Sequence, residues 1–438
     1  MLHHVEVSID EQFTLSDKLK RNLFIALGVG LAMFGIGVFL AMNGGGDHGH
    51  EVAAHGAEAV KAVEGAAEGH HGPTWITRMY AVLWHNSIFF TGIAAMGVFF
   101  VCVQYVAWAG WSAIMKRIPE AFGAFLPFMG IAVIGLFLIG NHDLFHWTHE
   151  GLYDKASPEY DPIMSGKSGW LNFGFYFGRM VVIFALWYII WVQIRKYSLA
   201  EDLQVGDQYW HKSGYLSAVF LIVFAVSTSI AAWDWIMSID AHWFSTMFGW
   251  NVFATWWVAS LATMTLICIY LKEAGYLKGM NDNHFHDLGK FVFAFSIFWT
   301  YTWFSQFLLI FYANLPEETV YFMDRLRWFG NKYTGIFYFN LIINFFFPFL
   351  ALMNRDSKRK ISILKLVCFA VVFGHWLDIY LMVMPGTTKG TSDLGFMEFG
   401  ALLVFASFFL IVVLNTLSKA KLIPQNHPMM EESLQHNI

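Results

Sequence analysis

Ten apolar stretches run through this chain of 438 residues, covering 22–42, 80–108, 121–140, 171–194, 213–237, 247–271, 288–312, 333–353, 361–384 and 395–415. A helix needs about 20 mostly apolar residues to cross the hydrocarbon core of a bilayer. Porin-type strands are excluded, because they are about 10 residues long and alternate in polarity. Only 13% of the residues are charged and 57% are hydrophobic, whereas soluble domains carry roughly 25% charged residues. A soluble core could not absorb that surplus. The reading is all-α: a polytopic membrane protein of about ten transmembrane helices, forming one transmembrane domain over 1–438. The net charge of −5 gives no hint of a nucleic-acid partner, and membrane lipids are its surroundings. The first stretch is long enough to span and lacks the usual small-residue cleavage site, so no cleavable signal is expected.

Basic residues predict the orientation. Lys18, Lys20 and Arg21 precede the first span. Lys116 and Arg117 follow the second, and Arg195, Lys196 and Lys212 lie between the fourth and fifth. Lys272 and Lys278 follow the sixth, Arg355, Lys358, Arg359 and Lys360 the eighth, and Lys419 and Lys421 the tenth. These alternate loops share one side, so both termini are expected in the cytoplasm. The 313–332 loop is the exception, with Arg325 and Arg327 beside Glu317, Glu318 and Asp324. The 44–73 loop carries His48, His50, His55, His70 and His71 at spacings that fit no fixed metal-ligand set, and reads as a solvated loop.

The spans also repeat. Trp84-His85-Asn86 opens the second and Trp250-Asn251 the sixth, and Asn86–Tyr105 and Asn251–Tyr270 are equal intervals. Phe175-Tyr176-Phe177 in the fourth returns as Phe337-Tyr338-Phe339 in the eighth. The fifth ends on Trp233-Asp234 and the ninth on Trp376-Leu377-Asp378. Spans two to five (80–237) and six to nine (247–384) therefore read as two four-helix bundles in parallel repeat, flanked by helices 22–42 and 395–415.

An ionisable group inside a membrane is costly and marks a candidate site. Asp234 and Asp378 are the foremost, read as lying toward the outer face, one in each bundle. Asp240 and His242 follow Asp234 closely in the short link to the sixth span. These acids either handle protons or cap helix ends and pair with an arginine. His375 lies three residues before Asp378, on one helix face, as a proton relay or a hydrogen-bonded structural pair. His85 is a lone histidine near the outer end of its span. Arg179, about two turns into the fourth span, needs an anionic partner, with Asp234 and Asp378 both candidates. Glu398 is expected to snorkel to the interface. Asp287 is expected to cap the seventh span.

Cofactor motifs are missing. Cys102, Cys268 and Cys368 form no C-x-x-C, C-x-x-C-H or iron–sulfur spacing. Only His85 and His375 lie well inside spans, so a bis-histidine haem is not expected.

The stretch from Ala232 through Trp233, Asp234, Ser238, Asp240 and His242 to Phe248, with Gly374-His375-Trp376 and Asp378, resembles the F subunit of bacterial alternative complex III. That family looks like a branch of the NrfD-type, or polysulfide-reductase-type, membrane subunits. The resemblance covers essentially the whole chain. It implies an inner-membrane complex that oxidises quinol and passes electrons to cytochrome c or a terminal oxidase. Haems and iron–sulfur clusters then belong to partner subunits: an iron–sulfur subunit, multihaem cytochromes and a paralogous NrfD-like subunit. The chain itself is expected to hold no cofactor, with a quinone open. By that resemblance Asp234, Asp240, His242, His375 and Asp378 are proton-path or structural polar residues; Arg179 and His85 join them on membrane depth alone. Two other functions compete: direct quinol binding, and a stand-alone secondary transporter. Transporters favour broken helices at matched positions. Here Pro127 and Pro348 fall in the third and eighth spans, which do not match.

Overall fold

The computed structural model describes residues 10–43, 74–391 and 393–437. The histidine-rich 44–73 loop lies outside them. The protein is 80% helical, with ten helices long and apolar enough to cross a membrane. We label these α1 (Asp17–Asn43), α2 (Trp75–Val106), α3 (Arg117–Leu144), α4 (Phe173–Glu201), α5 (Gln208–Trp235), α6 (Met247–Glu273), α7 (Asp282–Ala313), α8 (Thr334–Leu352), α9 (Ile361–Thr388) and α10 (Phe396–Ser418). It is a multi-pass, all-α membrane protein. Among the described residues no strand forms; Gln12 and Lys421 make one isolated bridge.

Burial ranks the helices. α2 and α6 form the centre and α9 lies against both, while α1 touches little besides α10. α2 packs on α3, α5, α6 and α9, and α6 on α7, α9 and α5. α4 closes against α3 and α5, and α8 against α7 and α9. Without a hydrophobic drive between helices in lipid, close approach depends on small residues. A Cβ on Gly37 would stand 2.3 Å from the Met397 amide, and one on Gly400 2.4 Å from that of Phe34. Those two glycines let α1 and α10 run backbone against backbone.

Prolines shape two spans. In α8, residues Ile342–Phe346 widen into a π-helix just before Pro348. Proline has no N–H to offer the carbonyl four residues back, and its ring crowds it. A widened turn relieves that clash, and π-turns recur at functional sites. α9 runs through Pro385 to Thr388, one turn beyond its expected end.

The first described residues and the segment after α10 meet on one face, the terminal face. The Leu422 amide donates to the Glu11 carbonyl at 2.8 Å, and Lys421 pairs with Asp10 at 2.9 Å. The other we call the far face. Two short-range expectations change here. Asn281, not Asp287, caps α7, accepting from the Asn283 and His284 amides. Asp287 instead pairs with Lys290 at 2.6 Å and His436 at 2.8 Å. Glu398 does not snorkel: its side chain is fully buried, accepts from Arg78 Nε at 2.9 Å, and takes the Gly395 amide at 2.9 Å. Arg78, arriving from α2, offers a charged partner that the interface would not.

Candidate functional site

Asp234 and Asp378 sit at one level, either side of α2. Trp84 Nε1 donates to the Trp235 carbonyl at 2.8 Å, and His85 Nε2 donates to the Trp376 carbonyl at 2.9 Å. Neighbouring residues of one helix thus hold both acid-bearing segments. Both carboxylates are buried, at 1% and 2% exposure. Their surroundings differ in kind.

Asp234 is one residue from the end of α5 and is met by Arg179 of α4. Arg179 donates through Nε at 2.6 Å and through the guanidinium Nη2 at 3.1 Å, a two-bond grip on the carboxylate. Trp170 Nε1 adds a third bond at 3.0 Å. The guanidinium stacks over Trp170 and Phe175, at 4.2 and 4.3 Å from the ring centres. Tyr176 and Ser238 hydroxyls donate to the Asp234 carbonyl. Of the two partners open to Arg179, the fold chooses Asp234.

Among the described residues Asp378 has no cation as a bonded partner. Thr255 Oγ1 donates at 2.6 Å, Trp299 Nε1 at 2.9 Å and Asn340 Nδ2 at 2.9 Å. These donors come from α6, α7 and α8. Asn344 Nδ2 then donates to Asn340 Oδ1 at 2.7 Å, so a chain of amides leads from the acid into the π-helix. A carboxyl held by neutral donors can gain or lose a proton without breaking an ion pair. His375 does not bond Asp378. Its ring is fully buried and packs edge-on against Trp299 at 5.5 Å, and among the described residues neither nitrogen has a hydrogen-bond partner. A shared helix face brings i and i+3 near each other; here the acid's lone pairs are already taken by three other helices.

The remaining candidates lie apart. Asp240 pairs with Arg325 at 3.3 Å, and Arg325 also donates to the Leu381 carbonyl of α9 at 2.8 Å. Arg325 is 2% exposed, so this base of the exceptional far-face loop is spent inside the protein. His242 is half exposed and bonds Asp161, away from Asp234. Burial would raise the Asp161 carboxyl, but the His242 bond and two helix amides hold it below the usual carboxylate range. His85 has one bonded nitrogen and packs on Trp376 at 4.9 Å. No set of His, Cys, Asp or Glu among the described residues could hold a metal ion.

A third polar group was not anticipated as a site. On the terminal face, Glu120 accepts from Arg195 at 2.9 Å and from Ser198 Oγ at 2.8 Å. Lys116 pairs with Glu201 at 2.9 Å and Arg117 with Asp202 at 2.7 Å. Glu120 and Glu201 are buried to 1% exposure or less. Lys116, Arg117 and Arg195 read as loop charges in the sequence, and the acids three to seven residues away were the unused signal. The Asn340 and Asn344 pair, one turn apart in an apolar run, was another. No protein-family model and no curated protein matches this chain.

Proposed function

We propose that this chain is an integral subunit of a quinol-oxidising respiratory complex of the alternative complex III type, supplying scaffold and a proton path. On this reading it lies in a bacterial inner membrane with both termini cytoplasmic. Its two four-helix bundles stand side by side, and haem and iron–sulfur partners carry the electrons. The resemblance at 232–248 and 374–378 motivates the complex.

One observation carries the proton path: Asp378, buried among neutral donors and joined through Asn340 to Asn344. Asp234, clamped by Arg179, is the structural counterpart. The terminal-face acids Glu120 and Glu201, each ion-paired to a buried base, are structural in the same sense as Asp234.

Co-purification tests the complex. Isolation with multihaem and cluster-bearing subunits supports it; a lone protein that moves a solute in vesicles sinks it. Asp378→Asn tests the path in the reconstituted complex. Quinol oxidation should persist while coupled proton movement falls at least about tenfold, a modest loss for one proton-transfer group. Normal proton movement in that variant would refute the assignment.

A further inference from the structure

Two outward stripes reach the terminal face side by side. Along α4, Val182, Leu186, Ile189, Gln193 and Lys196 are exposed; along α5, Val226, Ile222, Tyr215 and Lys212 are. Steps of three, four or seven residues keep each set on one side of its helix. α4 packs on α5, and in a membrane-spanning protein such apolar stripes face lipid.

Each stripe ends on a lysine. Lys196 stands five residues before Glu201 closes α4, and Lys212 four residues after Gln208 opens α5. The helices are antiparallel neighbours, so the two cations lie at matching heights. Tyrosines floor the space between them. Lys212 Nζ lies over Tyr197 of α4 and Tyr209 of α5, at 5.8 and 5.2 Å from the ring centres.

Neither ammonium is answered by the protein. The acids of this corner are already engaged: Glu201 by Lys116 at 2.9 Å, Asp202 by Arg117 at 2.7 Å and Asp207 by His211 at 3.2 Å. Among the described residues no carboxylate pairs with Lys196 or Lys212. A zwitterionic head would bring its own ammonium toward two cations with no acid free to receive it. Two apolar tracks beneath two cations match a two-chained lipid with an anionic head, and basic residues between spans at the membrane surface receive such heads.

We propose that the α4–α5 edge holds an anionic diacyl phospholipid at the terminal face, its phosphate between Lys196 and Lys212 and its chains along Leu186–Ile189 and Ile222–Val226. The inference needs only the membrane-spanning fold, so its failure would leave the respiratory reading standing. The purified full chain in detergent would be titrated with dioleoyl phosphatidylglycerol and weighed by native mass spectrometry. One lipid should be retained. Its affinity should fall about fivefold in Lys196→Gln or Lys212→Gln and about thirtyfold in the double variant, from the usual worth of one lysine at an anionic surface. Both lysines are exposed, so these variants should fold. Lys18→Gln with Lys20→Gln removes the same charge from the start of α1 and should leave affinity unchanged. Unaltered affinity in the Lys196 and Lys212 double variant, an equal loss in the Lys18 and Lys20 pair, or equal retention of dioleoyl phosphatidylethanolamine would each overturn the proposal.

Discussion

Asp234 and Asp378 are the same residue type at the same level, yet they invite opposite substitutions. Asp234 answers a full charge on Arg179. Removing one partner of a buried pair leaves the other uncompensated, at a cost of roughly 3–5 kcal/mol. Asp234→Asn should therefore lower the unfolding temperature in detergent sharply, and replacing both partners with apolar residues should recover part of the loss. Asp378→Asn leaves no orphaned charge and should unfold within a few degrees of the parent. If the two variants melt alike, the contrast drawn between the sites is wrong. Asp324, in the far-face helix Pro316–Leu326, supplies a pH test. Burial pushes its carboxyl up to about 7, with Arg325 pulling down and Asp240 pushing up. The folded protein then binds a proton that the unfolded chain, titrating near 3.8, releases. Stability should fall as pH rises from about 4 to about 7 and level off above that. Asp324→Asn should flatten the melting temperature measured between pH 5 and 8.

At the scale of helices, glycine decides which amides can meet. A Cβ on Gly374 of α9 would fall 2.2 Å from Asn344 Oδ1. Gly374→Ala must push Asn344 off Asn340 and loosen the third donor on Asp378. Overpacking of this kind costs about 1–3 kcal/mol, readable as a shift in thermal unfolding. A Cβ on Gly92 of α2 would fall 2.1 Å from the Trp256 ring of α6, so Gly92→Ala should be comparably damaging. The Gly374-His375-Trp376 motif was visible in the sequence as chemistry around the histidine. Its glycine matters for a reason no single helix contains, the π-turn of α8 that faces it. The His375–Asp378 spacing was equally legible, but spacing on one helix cannot say that Thr255, Trp299 and Asn340 reach the acid first.

For the whole molecule, the C-terminal segment acts as a strap across the terminal face. The Gln425 amide donates to Asp202 at 3.0 Å, and Asn426 Nδ2 donates to the Glu201 and Asp202 carbonyls at 3.1 Å. Ser433 Oγ donates to the Trp111 carbonyl at 2.7 Å, and Asn281 donates to that of His436 at 2.8 Å. The strap thus ties the loops around α2–α3, α4–α5 and α6–α7. Truncation after Lys421 should leave the spans inserted but expose those loops to protease, with faster cleavage near residue 202 than in the intact chain. Unchanged cleavage would mean the strap adds nothing. The proposed orientation predicts that green fluorescent protein fused to the C-terminus fluoresces and that alkaline phosphatase there stays inactive.

Hydropathy adds up along the chain and needs no partner. The ten spans and the even count that returns both termini to one face were therefore written in the sequence. Partner choice depends on distance across the bundle. Arg179 reaches an acid 55 residues away, Thr255 one 123 away, and Arg78 one 320 away. Only the packed helices could decide which buried carboxylate is locked by a cation and which is held by neutral donors, because a buried polar group takes whichever partner the fold places within about 3 Å.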